Sequence, residues 1–498
     1  MPAMVAQEVE RAAAAAAPHF LVVTYPAQGH INPARHLALR LLRATPGARV
    51  TLSTAVSACR KMFPGDDVVD GGGLEEEHVD GAGVRYAPYS DGYDGGFDKE
   101  AHHHTDYMSQ LKVVGARTLD GVLARLRDAG RPVTRVVYTV LLSWVAGVAR
   151  AHGVPAALYW IQPATVLATY FHFFRGTDGF DEAVVAAAQD PWAEVRLPGF
   201  PAPLRMRDLP SFLTITSGDH PYAFILTAFR ELLDALDDDR QEDGRGRSAT
   251  VLANTFDAME PDAVATLRQH GVHVVPIGPV LSFLDAAPAS STNNNNDLFS
   301  QDGKGYLEWL DAQEAASVVY ISFGSMSSMS KRQIAEVSRG MAESGRPFLW
   351  VLRKDNRGEV DGDDLCAGAG GGGMVVEWCD QGKVLSHPAV GCFVTHCGWN
   401  STLESVSCGV PVVGVPQWTD QGTNAWLVER QLGTGVRAAV SEKDGVLEAE
   451  ELRRCIGFAT SEMVRAKATL WREKARAAAA VGGSSERNLR AFVDLAGN

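Results

Sequence analysis

The chain contains 498 residues, of which 46% are apolar and 21% are charged, and it carries a formal net charge of −14. Because this length exceeds the usual range of one domain, we expect two domains of roughly 200–250 residues each. The acidic balance argues against nucleic-acid binding, which needs clustered Lys and Arg to neutralise phosphates. It favours solubility and says nothing about the fold.

The seven cysteines are scattered, with no CxxC spacing and no histidines at zinc-site offsets. We therefore expect free, buried thiols in a reducing compartment. Glu8 and Glu10 precede an alanine run where a signal peptide would carry basic residues, so no signal peptide is expected. The longest apolar stretch, 136–149, is too short to span a bilayer. These features predict a cytosolic protein with no membrane span, and none of them specifies an oligomeric state.

The first half of the chain alternates strand and helix signals. An apolar run at 20–23 is broken by Pro26 and Gly29, and apolar residues at helical spacing follow over 34–42. Further strands are predicted at 49–54, 135–142, 157–161, 250–256 and 272–279. This alternation indicates βαβ units and a parallel sheet.

A composition shift then separates the two halves. Residues 285–305 are rich in Asn, Ser, Ala and Gly, which predicts a linker between a first domain (1–284) and a second domain (306–483). The second half repeats the pattern, with strands predicted at 317–325, 348–353, 391–398 and 410–416 and a helix from about Lys331. A terminal helix is predicted over 484–498. The predicted fold class is α/β, with two Rossmann-like doubly wound domains that face a central cleft and bind ligands at the carboxyl ends of their strands.

Polar residues gather where the predicted strand at 391–398 ends. Gly398, Asn400 and Ser401 begin a helix, and a helix N-terminus holds anions through its unpaired N–H groups. His396 lies on the approach and can donate to a phosphate oxygen. Ser401 and Glu404 also match a capping box, a common structural device that predicts Ser401 as the helix cap.

Two other strand ends carry polar or glycine-containing turns. Asp420 and Gln421 follow the strand at 410–416, and an acid beside an amide suits sugar hydroxyls, although surface loops also contain such pairs. The turn at 322–325 contains Gly324, which permits a close approach of backbone to an anion. It lacks the GxGxxG and Walker patterns, so a dinucleotide or P-loop site is not indicated.

Two histidine features of the first half have structural alternatives. His30 follows Gly29 at the end of the first strand and is either a structural residue or a functional one. The triplet 102–104 is predicted to be a solvated loop, because adjacent histidines do not converge on one ion. No metal site is predicted.

Together these sites identify a resemblance. Trp378 to Gln421, with "WCDQGKVLSHPAVG" at the start, "HCGWNS" inside and "PQWTDQ" at the end, resembles the signature box of plant UDP-sugar-dependent glycosyltransferases. "PAQGHINP" (26–33), "LPGFPAPLRMRDLP" (197–210), "PIGPV" and "SFGS" are also similar to that family. The resemblance extends over nearly the whole chain. It implies the GT-B fold, with the UDP-sugar on the second domain and a small-molecule acceptor on the first.

The resemblance also implies a role for each matching residue. Trp378 would stack on the uracil, and Gln381 and Glu404 would bind the ribose hydroxyls. The diphosphate would be held by Ser325, His396, Asn400 and Ser401. The sugar would be contacted by Trp399, Asp420 and Gln421. UDP-glucose is a donor substrate here, and no cofactor is implied.

Three positions refine the implied chemistry. In the family a final Gln goes with glucose, so Gln421 favours UDP-glucose, and Trp399 stands where glucuronosyl members often carry Arg. His30 matches the catalytic base. The family usually has an Asp that orients this histidine, whereas the matching position here is Thr139, which carries no charge to stabilise an imidazolium. An alternative is that another carboxylate, such as Asp94 or Asp106, orients His30.

The motifs "YTVLLSW" and "WIQPAT" most resemble a branch with glucosyltransferases of carboxylic plant hormones and of anthocyanin 5-hydroxyls. A phenol with a pKa of about 10 needs a base, whereas a carboxylic acid with a pKa of about 4 is already ionised. We therefore predict an inverting glucosyltransferase that makes glucose esters of acids such as indole acetic, indole butyric, abscisic or salicylic acid. The alternatives are a phenolic 5-O-glucosyltransferase and a non-catalytic UDP-sugar binder.

Overall fold

The structure, a computed structural model, describes residues 17–64, 78–98, 104–215, 217–218, 220–242, 250–285, 305–325, 327–357 and 372–494. The predicted linker lies outside the described residues except for its two ends. The first-half strands are β1 (His19–Val23), β2 (Arg49–Ser53), β3 (His78–Val79), β4 (Arg85–Tyr86), β5 (Arg135–Thr139), β6 (Ala156–Trp160), β7 (Glu194–Val195), β8 (Leu204–Arg205), β9 (Thr250–Ala253) and β10 (His273–Pro276).

Eight of these strands form the first sheet, in the order β10-β9-β6-β5-β1-β2-β4-β3, and β7 pairs with β8. All pairs in the first sheet are parallel except β3 with β4. The helices of this half are α1 (Gln28–Ala44), α2 (Val56–Met62), α3 (His104–Asp128), α4 (Trp144–Ala151), α5 (Ala164–Arg175), α6 (Phe180–Ala187), α7 (Ala223–Glu242), α8 (Pro261–Gln269) and α9 (Ser282–Asp285).

The second sheet is wholly parallel, in the order β13-β12-β11-β14-β15-β16. Its strands are β11 (Val318–Ser322), β12 (Phe348–Val351), β13 (Gly373–Val376), β14 (Val390–Thr395), β15 (Val412–Gly414) and β16 (Gly435–Arg437). The helices of this half are α10 (Tyr306–Asp311), α11 (Lys331–Ser344), α12 (Lys354–Arg357), α13 (Gln381–Ser386), α14 (Trp399–Cys408), α15 (Gln421–Trp426), α16 (Ala449–Ala459), α17 (Glu462–Ala479) and α18 (Ser484–Asp494).

Both sheets have the doubly wound order, which confirms the predicted fold class. In such sheets ligands bind outside the carboxyl ends of the two strands where the winding reverses. These switch points lie between β1 and β5 in the first sheet and between β11 and β14 in the second. The fold therefore aims the turns after these four strands at one cleft.

The predicted strands form, but most of them end before the predicted range does, and two of these ends have a clear backbone cause. Strand β5 stops at Thr139 because Leu141 has a φ of 72°, and β11 stops at Ser322 because Gly324 has a φ of 77°. A left-handed residue cannot continue an extended strand. The low-complexity composition of 237–247 predicts a surface loop, and this prediction is wrong for 237–242. Helix α7 continues to Glu242, since no glycine interrupts the sequence before Gly244.

The terminal helix α18 crosses back to the first domain. Leu489, Phe492 and Val493 are buried in the hydrophobic core of the first sheet. Asn488 Nδ2 donates to the carbonyl of Pro276 at 2.8 Å, and Ser485 Oγ donates to the carbonyl of Gly278. Helix α18 thus joins the two halves of the chain by contacts that are separate from the linker.

Candidate active site

One cleft of about 1700 Å³ lies between the switch points of the two sheets. A typical small-molecule pocket measures about 300–1,000 Å³, so this cleft has room for two substrates side by side. Every site residue named from the sequence lines it, namely His30, Ser325, Trp378, Gln381, His396, Trp399, Asn400, Ser401, Glu404, Asp420 and Gln421. Two ends of different sheets therefore converge on one volume.

His396 follows β14 and is held between two glycines. A Cβ atom at Gly324 would lie 2.8 Å from its ring, and one at Gly398 would lie 2.6 Å from Nε2. Only glycine permits this close approach at either position. Burial lowers the pKa of His396 to about 4, although a hydrogen bond with the backbone of Ser322 opposes the shift. The ring is therefore neutral at physiological pH when no anion is bound beside it.

Helix α14 presents an uncapped N-terminus to the cleft. Its N-cap is Gly398, which has no side chain, and its first turn holds no acidic residue. The prediction that Ser401 caps this helix is wrong, because the helix begins at Trp399 and places Ser401 inside the first turn. The first N–H groups of α14 thus remain available to an anion.

The side chains expected at the ribose form a hydrogen-bonded group. Gln381 Nε2 donates to Glu404 Oε2 at 2.5 Å and to Ser401 Oγ at 2.9 Å, and the hydroxyl of Tyr320 donates to Gln381 Oε1 at 3.3 Å. Trp378, half-buried two residues after β13, lies close in sequence to Gln381. The carboxylate and amide are pre-oriented before any ligand binds.

Trp399 is used differently from the other residues of this strand end. Its side chain packs with Phe256 and Leu403 where the two domains meet, and only 4% of the residue is exposed. The indole N–H donates to the carbonyl of Asn254 at 2.8 Å. The indole N–H of Trp399 is therefore not available to a sugar hydroxyl. Any contact of Trp399 with the sugar would come from the other atoms of the residue that line the cleft.

Asp420 and Gln421 are buried and fixed by their neighbours. Asp420 accepts hydrogen bonds from Thr419 Oγ1 at 2.8 Å and from Asn424 Nδ2 at 2.9 Å. Gln421 Oε1 accepts from the backbone N–H groups of Gln417 and Trp418 at 2.8 and 3.1 Å. Because both of these partners are donors, the amide is oriented with its oxygen towards them, and its NH₂ group is not used in these two bonds.

Asn400 links the two domains through an interaction that the sequence analysis missed. Its Nδ2 donates to the carbonyl of Gly29 at 3.1 Å, one residue before His30. That carbonyl is available because Pro33, inside helix α1, has no N–H to complete the helical bond. The "GHINP" motif contains this signal, since a proline four residues after a helical residue frees that residue's carbonyl.

His30 lies in the first turn of α1 and has no carboxylate partner among the described residues. Its Nδ1 is buried and makes no hydrogen bond to any described residue, and burial lowers the pKa of the ring to about 4. The ring of Tyr25 packs against it, with 5.2 Å between the centroids. Thr139 instead accepts from the Tyr25 N–H at 3.3 Å and lies 3.4 Å from Thr24 Oγ1.

The alternative carboxylates also lie elsewhere. Asp94 accepts from Ser90 Oγ at 2.7 Å, and Asp106 is exposed on α3. The buried acid of this region is Asp91, which the sequence analysis missed, and it accepts from the hydroxyl of Tyr107 at 2.9 Å. Burial raises its pKa, and like the other two it makes no hydrogen bond to His30.

Aromatic side chains from several loops and helices line the acceptor half of the cleft. They are Tyr25, Phe97, Tyr107, Phe212, Tyr222, Phe224, Phe229 and Trp418. No single motif in the sequence marks them, because they come from both domains. They offer flat apolar surface, which suits aromatic or polyene-like molecules.

The described residues contain neither a candidate metal site nor a candidate membrane-spanning helix. Within the described ranges, no group of three or more His, Cys, Asp or Glu side chains could hold a metal ion. In the same part of the chain no helix is both long and apolar enough to cross a membrane.

Known proteins resemble the chain over almost its full length. Residues 293–452 match the family described as UDP-glucoronosyl and UDP-glucosyl transferase. A chloroplastic crocetin glucosyltransferase of Gardenia jasminoides is 44% identical, over 96% of this chain and 97% of that protein. Anthocyanidin 3-O-glucoside 5-O-glucosyltransferase 1 of Perilla frutescens is 43% identical, over 95% and 97%.

A solved structure gives the same result for the fold. Os79 of O. sativa, crystallised in complex with U2F and trichothecene, superposes with a TM-score of 0.78 at 30% identity, over 96% of this chain and all of that one. With these relatives and two doubly wound sheets around one cleft, the chain belongs to the plant family-1 UDP-glycosyltransferases and is a UDP-glucosyltransferase of the GT-B fold.

Proposed function

We propose that this enzyme transfers glucose from UDP-glucose, with inversion, to the carboxylate of a small plant acid and forms a glucose ester. The observation that carries the proposal is the environment of His30. Its buried Nδ1 has no hydrogen-bond partner in the described part of the chain, and Thr139 is engaged with the backbone of Tyr25.

This environment makes His30 a weak base. Among the described residues no carboxylate stabilises the imidazolium, and burial lowers the pKa of the ring to about 4. A phenol with a pKa of about 10 would have to lose its proton to this ring, a mismatch of several pKa units. A carboxylic acid arrives already ionised, so for that acceptor His30 has only to position the attacking oxygen.

The start of helix α1 also favours an anionic acceptor. The helix begins at Gln28, and its first turn contains no acidic residue and no side-chain cap. Gln28, Gly29 and His30 all line the cleft. The partial positive charge of a helix N-terminus stabilises a negative group placed there. A carboxylate at His30 would gain this stabilisation, whereas a neutral phenol would gain less.

Transfer itself needs an in-line arrangement across the cleft. The acceptor oxygen forms a bond to the anomeric carbon while the bond from that carbon to the β-phosphate oxygen breaks, and the electron pair leaves with UDP. The N–H groups at the start of α14 and the ring of His396 would hold the growing phosphate charge. These groups take the part that a metal ion plays in other enzymes.

Gln421 supports glucose as the donated sugar. Its amide oxygen is fixed by two backbone N–H groups, and both Gln421 and the buried Asp420 line the cleft, so an amide donor and a carboxylate acceptor are both in place for sugar hydroxyls. We expect UDP-glucose to be preferred over UDP-galactose. The substitution Gln421→His should narrow that preference, and an unchanged ratio of kcat/KM values would show that Gln421 does not distinguish the two sugars.

A second candidate acceptor is a phenol such as an anthocyanin 5-hydroxyl. The aromatic walls of the cleft suit a flat flavonoid, and one relative is named for 5-O-glucosylation of an anthocyanidin glucoside. Another relative is named for crocetin. The relatives therefore support both classes, and the chemistry at His30 favours the acid.

An acceptor panel decides between the two. Purified enzyme with UDP-glucose is offered indole acetic, indole butyric, abscisic and salicylic acids alongside flavonols and an anthocyanidin 3-O-glucoside. We expect the highest kcat/KM with one of the acids and a product that mild alkali cleaves, because esters are alkali-labile and phenolic glycosides are not. An alkali-stable product from the best acceptor would overturn the proposal.

The cytosolic location stays a prediction. The crocetin glucosyltransferase is named as chloroplastic, so the two compartments are the alternatives. A fluorescent fusion of the full chain at its C-terminus, expressed in leaf cells, would separate a diffuse cytosolic signal from a plastid signal.

A further inference from the structure

The loop that carries Asp420 and Gln421 is hydrogen-bonded to a segment on the acceptor side of the cleft. The backbone N–H of Ser211 donates to the carbonyl of Thr419 at 2.8 Å, and the N–H of Thr419 donates to Ser211 Oγ at 2.8 Å. This reciprocal pair joins the 417–421 loop of the second domain to residues 207–211 of the first, which we name the clamp segment. Ser211 is therefore bonded to the residue that precedes Asp420.

Thr419 needs such a partner because its backbone is strained. Its φ is 59°, in the left-handed region that a β-branched residue rarely adopts. A residue persists in this conformation only when its surroundings fix it. Thr419 Oγ1 also donates to Asp420 Oδ1 at 2.8 Å. The conformation of Thr419 thus sets the direction of the side chains that follow it.

The rest of the clamp segment also contacts the second domain, through residues that follow the 417–421 loop in the sequence. Arg437 forms a half-buried ion pair with Asp208 at 3.0 Å and donates to the carbonyl of Arg207, also at 3.0 Å. Thr423 Oγ1 donates to the carbonyl of Asp208 at 2.8 Å. A Cβ at Gly422 would lie 2.6 Å from the Arg207 carbonyl, so the two backbones touch there. The clamp segment is a rigid support.

Aromatic contacts connect the same two segments. Trp418 packs against Tyr222 at 5.4 Å and against Phe212 at 6.3 Å between ring centroids. Both partners belong to the acceptor domain and line the cleft. The loop that carries Asp420 and Gln421 is therefore supported from the first domain as well as by its own domain.

We infer that Ser211 is a positioning residue of the donor site, which fixes the 417–421 loop so that Asp420 and Gln421 distinguish glucose from its epimers. The inference rests on the proposed sugar contacts of Asp420 and Gln421. Sugar selectivity is then shared between domains, although the residues that touch the sugar belong to the second domain alone.

The test replaces the hydroxyl and follows selectivity. Ser211→Ala leaves the Thr419 N–H without its acceptor, Ser211→Thr keeps a hydroxyl, and Ser330→Ala is the matched control. Ser330 Oγ likewise accepts a backbone N–H, from Gln333 at 3.1 Å, but lies outside the cleft. The readouts are kcat/KM with UDP-glucose and with UDP-galactose, and the Kd of UDP by calorimetry.

We expect Ser211→Ala to reduce the preference for UDP-glucose over UDP-galactose about three- to tenfold, the worth of one hydrogen bond. The Kd of UDP should stay within about twofold, because the other contacts of UDP lie at different strand ends. Ser211→Thr should restore the preference, and Ser330→Ala should leave it unchanged. An unchanged preference in Ser211→Ala, or a parallel loss of UDP binding, would overturn the inference.

Two further variants keep the outcome interpretable. If Ser211→Ala does not fold, Ser211→Cys supplies a nearly isosteric side chain whose thiol is a weak acceptor, with the same expected loss. Gln421→His separates this inference from the proposed function. If Gln421→His changes the sugar preference and the Ser211 variants do not, the clamp is wrong and the sugar contact stands; if Gln421→His changes nothing, the proposed sugar contact itself is wrong.

Discussion

At the switch point of the second sheet, polar side chains bond to one another, whereas at that of the first sheet the ring of His30 packs against the ring of Tyr25. Gln381, Glu404 and Ser401 are connected, and Gln421 is bonded to backbone N–H groups. Nδ1 of His30 has no partner among the described residues.

This difference separates two ways of recognising a substrate. In the proposed function the donor half binds one defined molecule, and its donors and acceptors are already fixed by hydrogen bonds within the protein. The acceptor half would supply apolar surface and a neutral ring, and it would select for shape and for an acceptor that needs little proton transfer. Substitutions in the donor half and in the acceptor half should therefore change different kinetic parameters.

The largest effect is expected when His30 is removed and a phenol is the acceptor. General-base catalysis is worth about 10²–10⁴-fold, so His30→Ala should reduce kcat/KM for a phenol by that range. A carboxylic acceptor should lose noticeably less, because it brings its own charge. Paired assays of both acceptors on one enzyme preparation measure the ratio.

Two variants control this comparison. His36→Ala removes another histidine of α1, half-buried and also lining the cleft, whose pKa burial likewise lowers to about 4, and it should affect both acceptors equally. Thr139→Asp should raise the phenol rate, because a carboxylate there restores the expected orienting charge, and should leave the acid rate nearly unchanged. Equal losses for both acceptors in His30→Ala would show that the ring acts as a base towards both.

On the donor side, His396→Ala should act chiefly on kcat. Charge grows on the β-phosphate as UDP leaves, and removal of one donor to such a charge costs about 10²–10³-fold in kcat. Single-turnover rates with saturating UDP-glucose give the chemical step directly. A change in KM alone would mean that His396 binds ground state and transition state equally.

Trp378→Ala should weaken donor binding by a smaller amount. Stacking of a base on an aromatic ring is worth about 1–3 kcal/mol, and the Kd of UDP should rise accordingly while kcat at saturation changes little. Calorimetry with UDP measures it. Trp378→Phe is the matched control, since it keeps an aromatic face, and an equal loss in both variants would contradict stacking.

The smallest expected effect is an absence of pH dependence. Burial lowers the pKa of His30 to about 4, so the ring stays neutral above that value. The ring becomes protonated, and the enzyme loses activity, only as the pH falls through about 4. With a carboxylic acceptor, kcat/KM should be flat between about pH 5.5 and 8. A fall centred near pH 6.5 that disappears in His30→Ala would falsify this assignment.

The sequence by itself determined the parts that depend on local pattern. Alternating strand and helix signals predicted two doubly wound sheets, and polar residues directly after strands predicted the cleft, because parallel strands bring their carboxyl ends to one edge. The capping prediction for Ser401 failed because a short motif cannot show that Trp399 already belongs to the helix. The absence of an acid at Thr139 was visible without coordinates.

Only the tertiary structure decided the interactions between distant segments. Asn400 donates to Gly29, Trp399 donates to Asn254, and Ser211 is hydrogen-bonded to Thr419. The members of these pairs lie 371, 145 and 208 residues apart in the sequence and belong to different domains. No local pattern encodes such pairs, since each depends on how two sheets pack against each other. That Nδ1 of His30 has no partner among the described residues is a finding of the same kind, because a side chain's neighbours exist only once the chain has folded around it.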